Sequence, residues 1–473
     1  MVSFHRLAAP LLAVLRFGGL YFRLAHSCPT ENSNHVNSLA EEPEHLPTFT
    51  QRIQGLIFLS CLRGNRPADA LSFIFSIVCM LTAATDNFRL LYAFYALWRA
   101  GQLSSLAFYV DNLVTVAWTF QCLTIHCSMM YMCYTDKFTQ LFRSWEELNS
   151  NDEEATALLQ TMVANKRQPE HTRHFLRKQK CLLFFAFFAL LVNMYSLIGP
   201  LVINADVYSE FRNYVMFPFL PENLVVKTLI TAAFTVRSFD YVFSAVLFLM
   251  LSDALVLQFG QFFHNLAVEI TAEGRLVDAT VLEAHRLKHV KLCGLVKKVD
   301  EIFSLYVLVG LVSGMLGILA QVYVVYDFLR LGTMGTAAVL SYVYWSLLNM
   351  LQVLVILWCG SKVKIATVFP MSRLFGIDQR TLSIKESQSV TVFLHKLCNS
   401  RTGFTALGIF TIDKATILSL AGFYFTCQIL LFQMRNDSSL DTALNAAVIP
   451  TDIVIGLRNF LNNTLSARTI HKT

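Results

Sequence analysis

Seven stretches of this chain stay apolar for close to 20 residues or more, and that repetition decides the class of fold. About 20 apolar residues in a helix cross the hydrocarbon core of a bilayer. Inside that layer the backbone must satisfy its own hydrogen bonds, which leaves helices or closed barrels. The stretches lie at about 70–87, 108–133, 181–203, 229–258, 302–326, 337–360 and 412–434. They predict an all-α, seven-transmembrane helical protein. Charged residues make up 15% of the chain, against about 25% in soluble domains, so one membrane bundle fits better than several soluble domains. The N-terminal run, broken by Arg6 and Arg16, reads as an amphipathic helix at the interface or bundle edge rather than a cleaved signal. The polar stretch 28–47 that follows reads as a loop.

Orientation follows from the basic residues. Segments 1–69, 134–180, 259–301 and 361–403 hold 6, 8, 6 and 7 Lys or Arg, 27 in all. Segments 88–107, 204–228, 327–336 and 435–473 hold 2, 2, 1 and 4, or 9 in all. Cytoplasmic loops carry the excess, so the N-terminus is expected inside and the C-terminus outside. Two glycosylation sequons in the tail, at Asn436 and Asn462, point the same way. That topology is opposite to a G-protein-coupled receptor, and neither a DRY-like nor an NPxxY-like motif stands at the expected span ends. Connections 134–180 and 259–301 show an apolar stripe between charges, as expected of helices that continue below the membrane. The predicted organisation is a cytoplasmic segment 1–69, six helices over 70–360 with an outer ligand cavity, an anchor segment 361–411, a seventh helix 412–434 and an extracellular tail 435–473.

With this orientation, polar and aromatic residues concentrate toward the outer ends of five spans. Trp118, Arg237, Asp240, Gln321, Trp345 and Asn349 are the candidate ligand contacts. Amides and carboxylates pair with hydroxyls, and Trp stacks on a sugar face. The alternative for each Tyr or Trp is the interfacial aromatic belt. Arg237 and Asp240 stand three apart on one helix face, where they could pair with each other and lower the cost of burying both. In the last span Ser419, Gly422, Thr426, Ile429 and Gln433 recur at spacings of 3 and 4, one helical face. A polar stripe in lipid must turn toward protein or water, so it lines a pathway or packs as a small-residue seam.

No P-loop, GxSxG, HExxH or Gly-rich nucleotide fingerprint occurs, and no Cys/His cluster has metal-ligand spacing. Neither catalysis, nor a cofactor, nor a metal, nor a nucleic-acid partner is expected. The eleven cysteines avoid the expected external loops, which predicts reduced thiols.

The end of the last span, Thr426 to Met434, resembles the closing TYhhhhhQF signature (h apolar) of the insect and arthropod gustatory receptor family. Thr426 and Gln433 match at the right spacing, with Cys427 for Tyr and Met434 for Phe. The preceding GIFTIDKATILSLAGFYF looks like the family's approach to its last helix. The sugar-receptor branch is the most similar, through the segment ending at Asp240, Gln321 and YWSLL at Tyr344–Leu348. Gln428 stands where that branch has Glu, and Gln352 where Arg would be. The resemblance implies a homotetrameric or heteromeric ligand-gated, nonselective cation channel in the plasma membrane of sensory neurons. Four last helices would surround the pore, with Ser419, Thr426, Ile429, Gln433 and Met434 lining or gating it. Its partners would be a small-molecule tastant, with a sugar or polyol favoured, permeant cations, the bilayer and related subunits. A bitter-compound or odorant-gated channel and a metabotropic receptor are the alternatives.

Overall fold

A computed structural model describes residues 67–99, 106–159, 168–202, 223–270, 279–331, 336–377, 382–398 and 402–436. The expected N-terminal helix, the polar loop and the sequon at Asn462 lie outside the described residues. In chain order the helices are α1 (Pro67–Arg99), α2 (Leu106–Tyr134), α3 (Lys137–Leu159), α4 (Gln168–Val202) and α5 (Leu224–Glu269). There follow α6 (Ala279–Leu331), α7 (Thr336–Val368), α8 (Pro370–Phe375), α9 (Ile384–Cys398) and α10 (Lys414–Asn436). Among the described residues there is no strand, only an isolated antiparallel bridge between Thr405 and Thr411. Among the described residues six helices are long and apolar enough to cross a membrane, followed by a shorter apolar segment, Lys414–Leu430.

The helices outrun their apolar segments. With 46 and 53 residues, α5 and α6 are about 70 and 80 Å long at 1.5 Å per residue, against a hydrocarbon core of about 30 Å. The excess is the charged, striped sequence of 259–301, which therefore continues the helices outside the membrane. There α3 packs on α6 through Phe138, Leu141, Phe142, Trp145 and Leu148. Those residues follow the spacing of one helical face. A bond from Lys137 Nζ to Glu301 at 2.8 Å and one from Lys298 to Ser144 tie the same two helices. The short α9 starts at a capping box: Ser383 N donates to Glu386 at 2.6 Å, and Glu386 N lies 3.4 Å from Ser383 Oγ. It buries Val390, Phe393 and Leu397.

The chain divides into two compact units, residues 1–417 and 418–473. In the first, α6 is central and packs against α2, α3, α5, α7 and α9. Its approach to α7 depends on missing side chains. A Cβ on Gly310 would stand 2.7 Å from Ile356 Cδ1, and one on Gly314 2.6 Å from Val353 Cγ2. Small residues are how membrane helices come this close. The segment before α10 is a tight hairpin fixed to this bundle. Thr405 donates to Asp300 through its backbone N at 2.6 Å and its hydroxyl at 2.8 Å, while Phe404 is buried against Phe248. Ile412 packs so closely that a Cβ on Gly360 would stand 2.6 Å from it.

Candidate functional site

Between α2, α6 and α7 lies a cavity of about 580 Å³, lined also by Asn193 of α4 and Tyr241 of α5. Four of the sequence-predicted contacts, Trp118, Gln321, Trp345 and Asn349, line it. So do Leu113, Phe120, Val312, Leu316 and Leu348, which make most of its wall apolar. The antiparallel course of α2 and α6 places Val110 and Gln321 at one end and Gln121 and Leu308 at the other.

The polar wall residues are joined into a chain. Tyr241 Oη donates to Asn349 Oδ1 at 2.9 Å, and Asn349 Nδ2 donates to Gln321 Oε1 at 3.2 Å. Asn349 is positioned by Gly317, whose missing Cβ would stand 3.1 Å from that amide nitrogen. Trp345 Nε1 donates to Ser196 Oγ at 2.9 Å, which orients the indole. Asn193 Nδ2 donates to Ser238 Oγ at 2.8 Å. Trp118 packs against Phe234 and Tyr241, with ring centroids 6.4 and 6.5 Å apart. The cavity thus offers two indoles, a phenol and several amides on an apolar ground, the usual composition of a small-molecule site.

Arg237 and Asp240 are placed differently from Trp118 and its neighbours. Both are fully buried and neither is among the lining residues. The pair they could form with each other gives way to partners on other helices. Arg237 Nη1 donates to Asp86 of α1 at 2.6 Å and Nη2 to the Ala83 carbonyl at 3.0 Å. Asp86 also holds Arg89, at 2.6 Å. Asp240 lies 3.0 Å from His126 Nδ1 of α2, whose Nε2 faces the Ser76 carbonyl at 3.1 Å. The His126 ring is thereby hydrogen-bonded on both sides, to Asp240 and to Ser76. Arg237 and Asp240 each have a side-chain partner on another helix, the condition for keeping such groups in an apolar interior. Sequence reasoning missed Asp86, His126, Ser76 and Gly317. The first three sit in runs dominated by apolar residues, where only their being polar at all gave a signal.

The second unit is described by itself. In α10 the stripe residues Ser419, Gly422, Thr426, Ile429 and Gln433 are all exposed. Thr426 Oγ1 donates back to the Gly422 carbonyl at 2.9 Å, so its hydroxyl is satisfied within the helix. The side chain of Met434 lies outside the described set. At the start of the helix Asp413 accepts from Thr416 N at 2.8 Å and from its hydroxyl at 2.9 Å. This is an N-cap at the head of the last span. The donors hold the Asp413 carboxyl below its ordinary value.

A family model described as trehalose receptor matches residues 82–443. No curated protein matches. Among solved structures, the chain is similar to the insect olfactory receptor OR5 from Machilis hrabei. The identity is 15%, with 92% of this chain and 99% of that one covered and a TM-score of 0.61. The same receptor in complex with eugenol gives 16% identity, 91% and 98% coverage and a TM-score of 0.64. Likeness at that identity establishes a shared fold.

Proposed function

This chain belongs to the trehalose receptor family of insect gustatory receptors, and from that premise we propose that it is a tastant-gated, nonselective cation channel whose ligand is a sugar or polyol. The observation that carries the ligand class is the chain Tyr241–Asn349–Gln321 on the cavity wall. Its hydroxyl and two amides can exchange bonds among themselves for bonds to ligand hydroxyls, with Trp118 and Trp345 as stacking faces. The cavity volume of about 580 Å³ falls in the range of roughly 300–1,000 Å³ typical of small-molecule sites. Trp118, Gln321, Trp345 and Asn349 touch the ligand in this reading. Arg237 and Asp240 hold the helices that carry them.

Channel function rests on α10. The Thr426–Met434 signature and the exposed Ser419–Gln433 stripe suit a helix that meets its own copies around an axis. Four subunits, or a mixture with related ones, would then place Gln433 and Met434 at the outer gate. The 27 to 9 division of basic residues supports an arrangement with the N-terminus and the long helical extensions of α5 and α6 inside and the C-terminal tail outside. A ligand opens such a channel by binding the open state more tightly, with a coupling of about 1–3 kcal/mol per site.

The apolar part of the wall favours a second reading, a small apolar or aromatic ligand like the eugenol held by the olfactory receptor of the same fold. Whole-cell recording from cells expressing this chain alone separates the two. Currents evoked by sugars or polyols are expected. Silence to all of them, with currents evoked by bitter compounds or apolar volatiles, would assign the second reading.

A further inference from the structure

The inner end of the cavity is capped by Gln121, which is 1% exposed and donates to Gln352 Oε1 of α7 at 3.2 Å. That bond occupies the oxygen of the Gln352 amide. Its nitrogen, Nε2, has no hydrogen-bond partner, although the residue is 3% exposed. Beside it lies Tyr306 of α6, 1% exposed, whose hydroxyl faces the Gln352 side chain and finds no well-formed hydrogen bond there or elsewhere. Gly310, one turn along α6, presents no side chain to cover the amide. Both groups belong to membrane-length apolar segments, where an unmet donor is especially unfavourable. Two such groups from two helices, next to each other and one helical turn past Asn349, form a built polar spot in a dry core.

We propose that Gln352 Nε2 and Tyr306 Oη form a deep subsite for one hydroxyl oxygen. That oxygen is a water in the free receptor and a ligand hydroxyl in the bound one; the second half rests on the polyol reading above. A hydroxyl suits the pair because it accepts from the amide and exchanges a bond with the phenol. An apolar ligand does neither. The subsite gives the cavity a means of telling a polyol from an apolar molecule of the same size.

Tyr306→Phe is the informative change, because the one protein group that hydroxyl faces is the Gln352 side chain, the other half of the subsite. The first measurement is thermal unfolding of the purified receptor without ligand. An oxygen held there makes Tyr306→Phe lower the melting temperature by roughly 1–3 °C. An unchanged or higher melting temperature means the spot is dry and overturns the proposal. The second is a dose–response to the most potent sugar or polyol, compared with an apolar agonist. Tyr306→Phe and Gln352→Met are expected to raise the half-maximal concentration for the polyol about 3- to 10-fold and leave the apolar agonist unaffected. A lower melting temperature with an unshifted polyol response would overturn the ligand half, leaving a structural water. A wild-type receptor indifferent to every sugar would overturn the polyol reading and the ligand half with it, while the unfolding measurement still decides whether the subsite holds an oxygen.

Discussion

Arg237 shows what a single buried charge requires in this bundle. Its guanidinium reaches a carboxylate and a carbonyl on α1 at once, through two nitrogens 2.6 and 3.0 Å from their acceptors. Lys cannot make that fork. Removing one partner of a buried pair leaves the other uncompensated and costs about 3–5 kcal/mol. Arg237→Met is expected near the lower end of that range, because Arg89 still holds Asp86. Adding Asp86→Asn to it should recover part of the loss. Thermal unfolding in detergent measures both, and a neutral Arg237→Met would show that the pair contributes nothing. Sequence spacing identified Arg237 and Asp240 as charges on one helix face. Their partners stand 151 and 114 residues away, and periodicity reports which face a residue occupies, not which helix comes to meet it. For the same reason it marked Trp118, Gln321, Trp345 and Asn349 individually. It had no means of showing that Gly317 leaves room for Asn349.

At the scale of elements, hydropathy located the apolar helices and understated those that run on into charged sequence, chiefly α5 and α6, whose continuation the striped loops signalled instead. Apolar runs reveal only the part of a helix that faces lipid or core. The charged half of α6, from Ala279 to about residue 301, is as helical as the rest but has the stripe of a surface helix. The start of α10 has a local cause instead: Asp413 accepts from the Thr416 backbone N and caps the helix. That cap carries a pH dependence. Its folded carboxyl lies below the ordinary value because backbone and hydroxyl donors stabilise the charged form. The stabilisation is thus present above the ordinary carboxylate pKa of about 4 and is lost as pH falls through the lower folded value. Asp413→Asn keeps a capping oxygen and removes the titration. Wild type is expected to lose more thermal stability than Asp413→Asn as pH is lowered from 6 to 3. Parallel curves for the two proteins would mean that the cap does not titrate in this range.

For the molecule as a whole, the fold was legible because a bilayer permits so few solutions. Repeated apolar runs and a closing signature are enough to point to a helical membrane receptor, and the match over residues 82–443 agrees. Ligand chemistry was less legible, since one cavity presents both an apolar wall and a chain of amides. The central claim is that this chain is itself the channel, opened through its own cavity and conducting around its own α10. Purified receptor reconstituted alone into a planar bilayer tests that claim without cellular partners. Unitary cation currents that rise with ligand, reverse near zero between sodium and potassium solutions and change with Gln433→Ala are expected. A reconstituted receptor that binds the same ligand yet leaves the bilayer silent would contradict the claim.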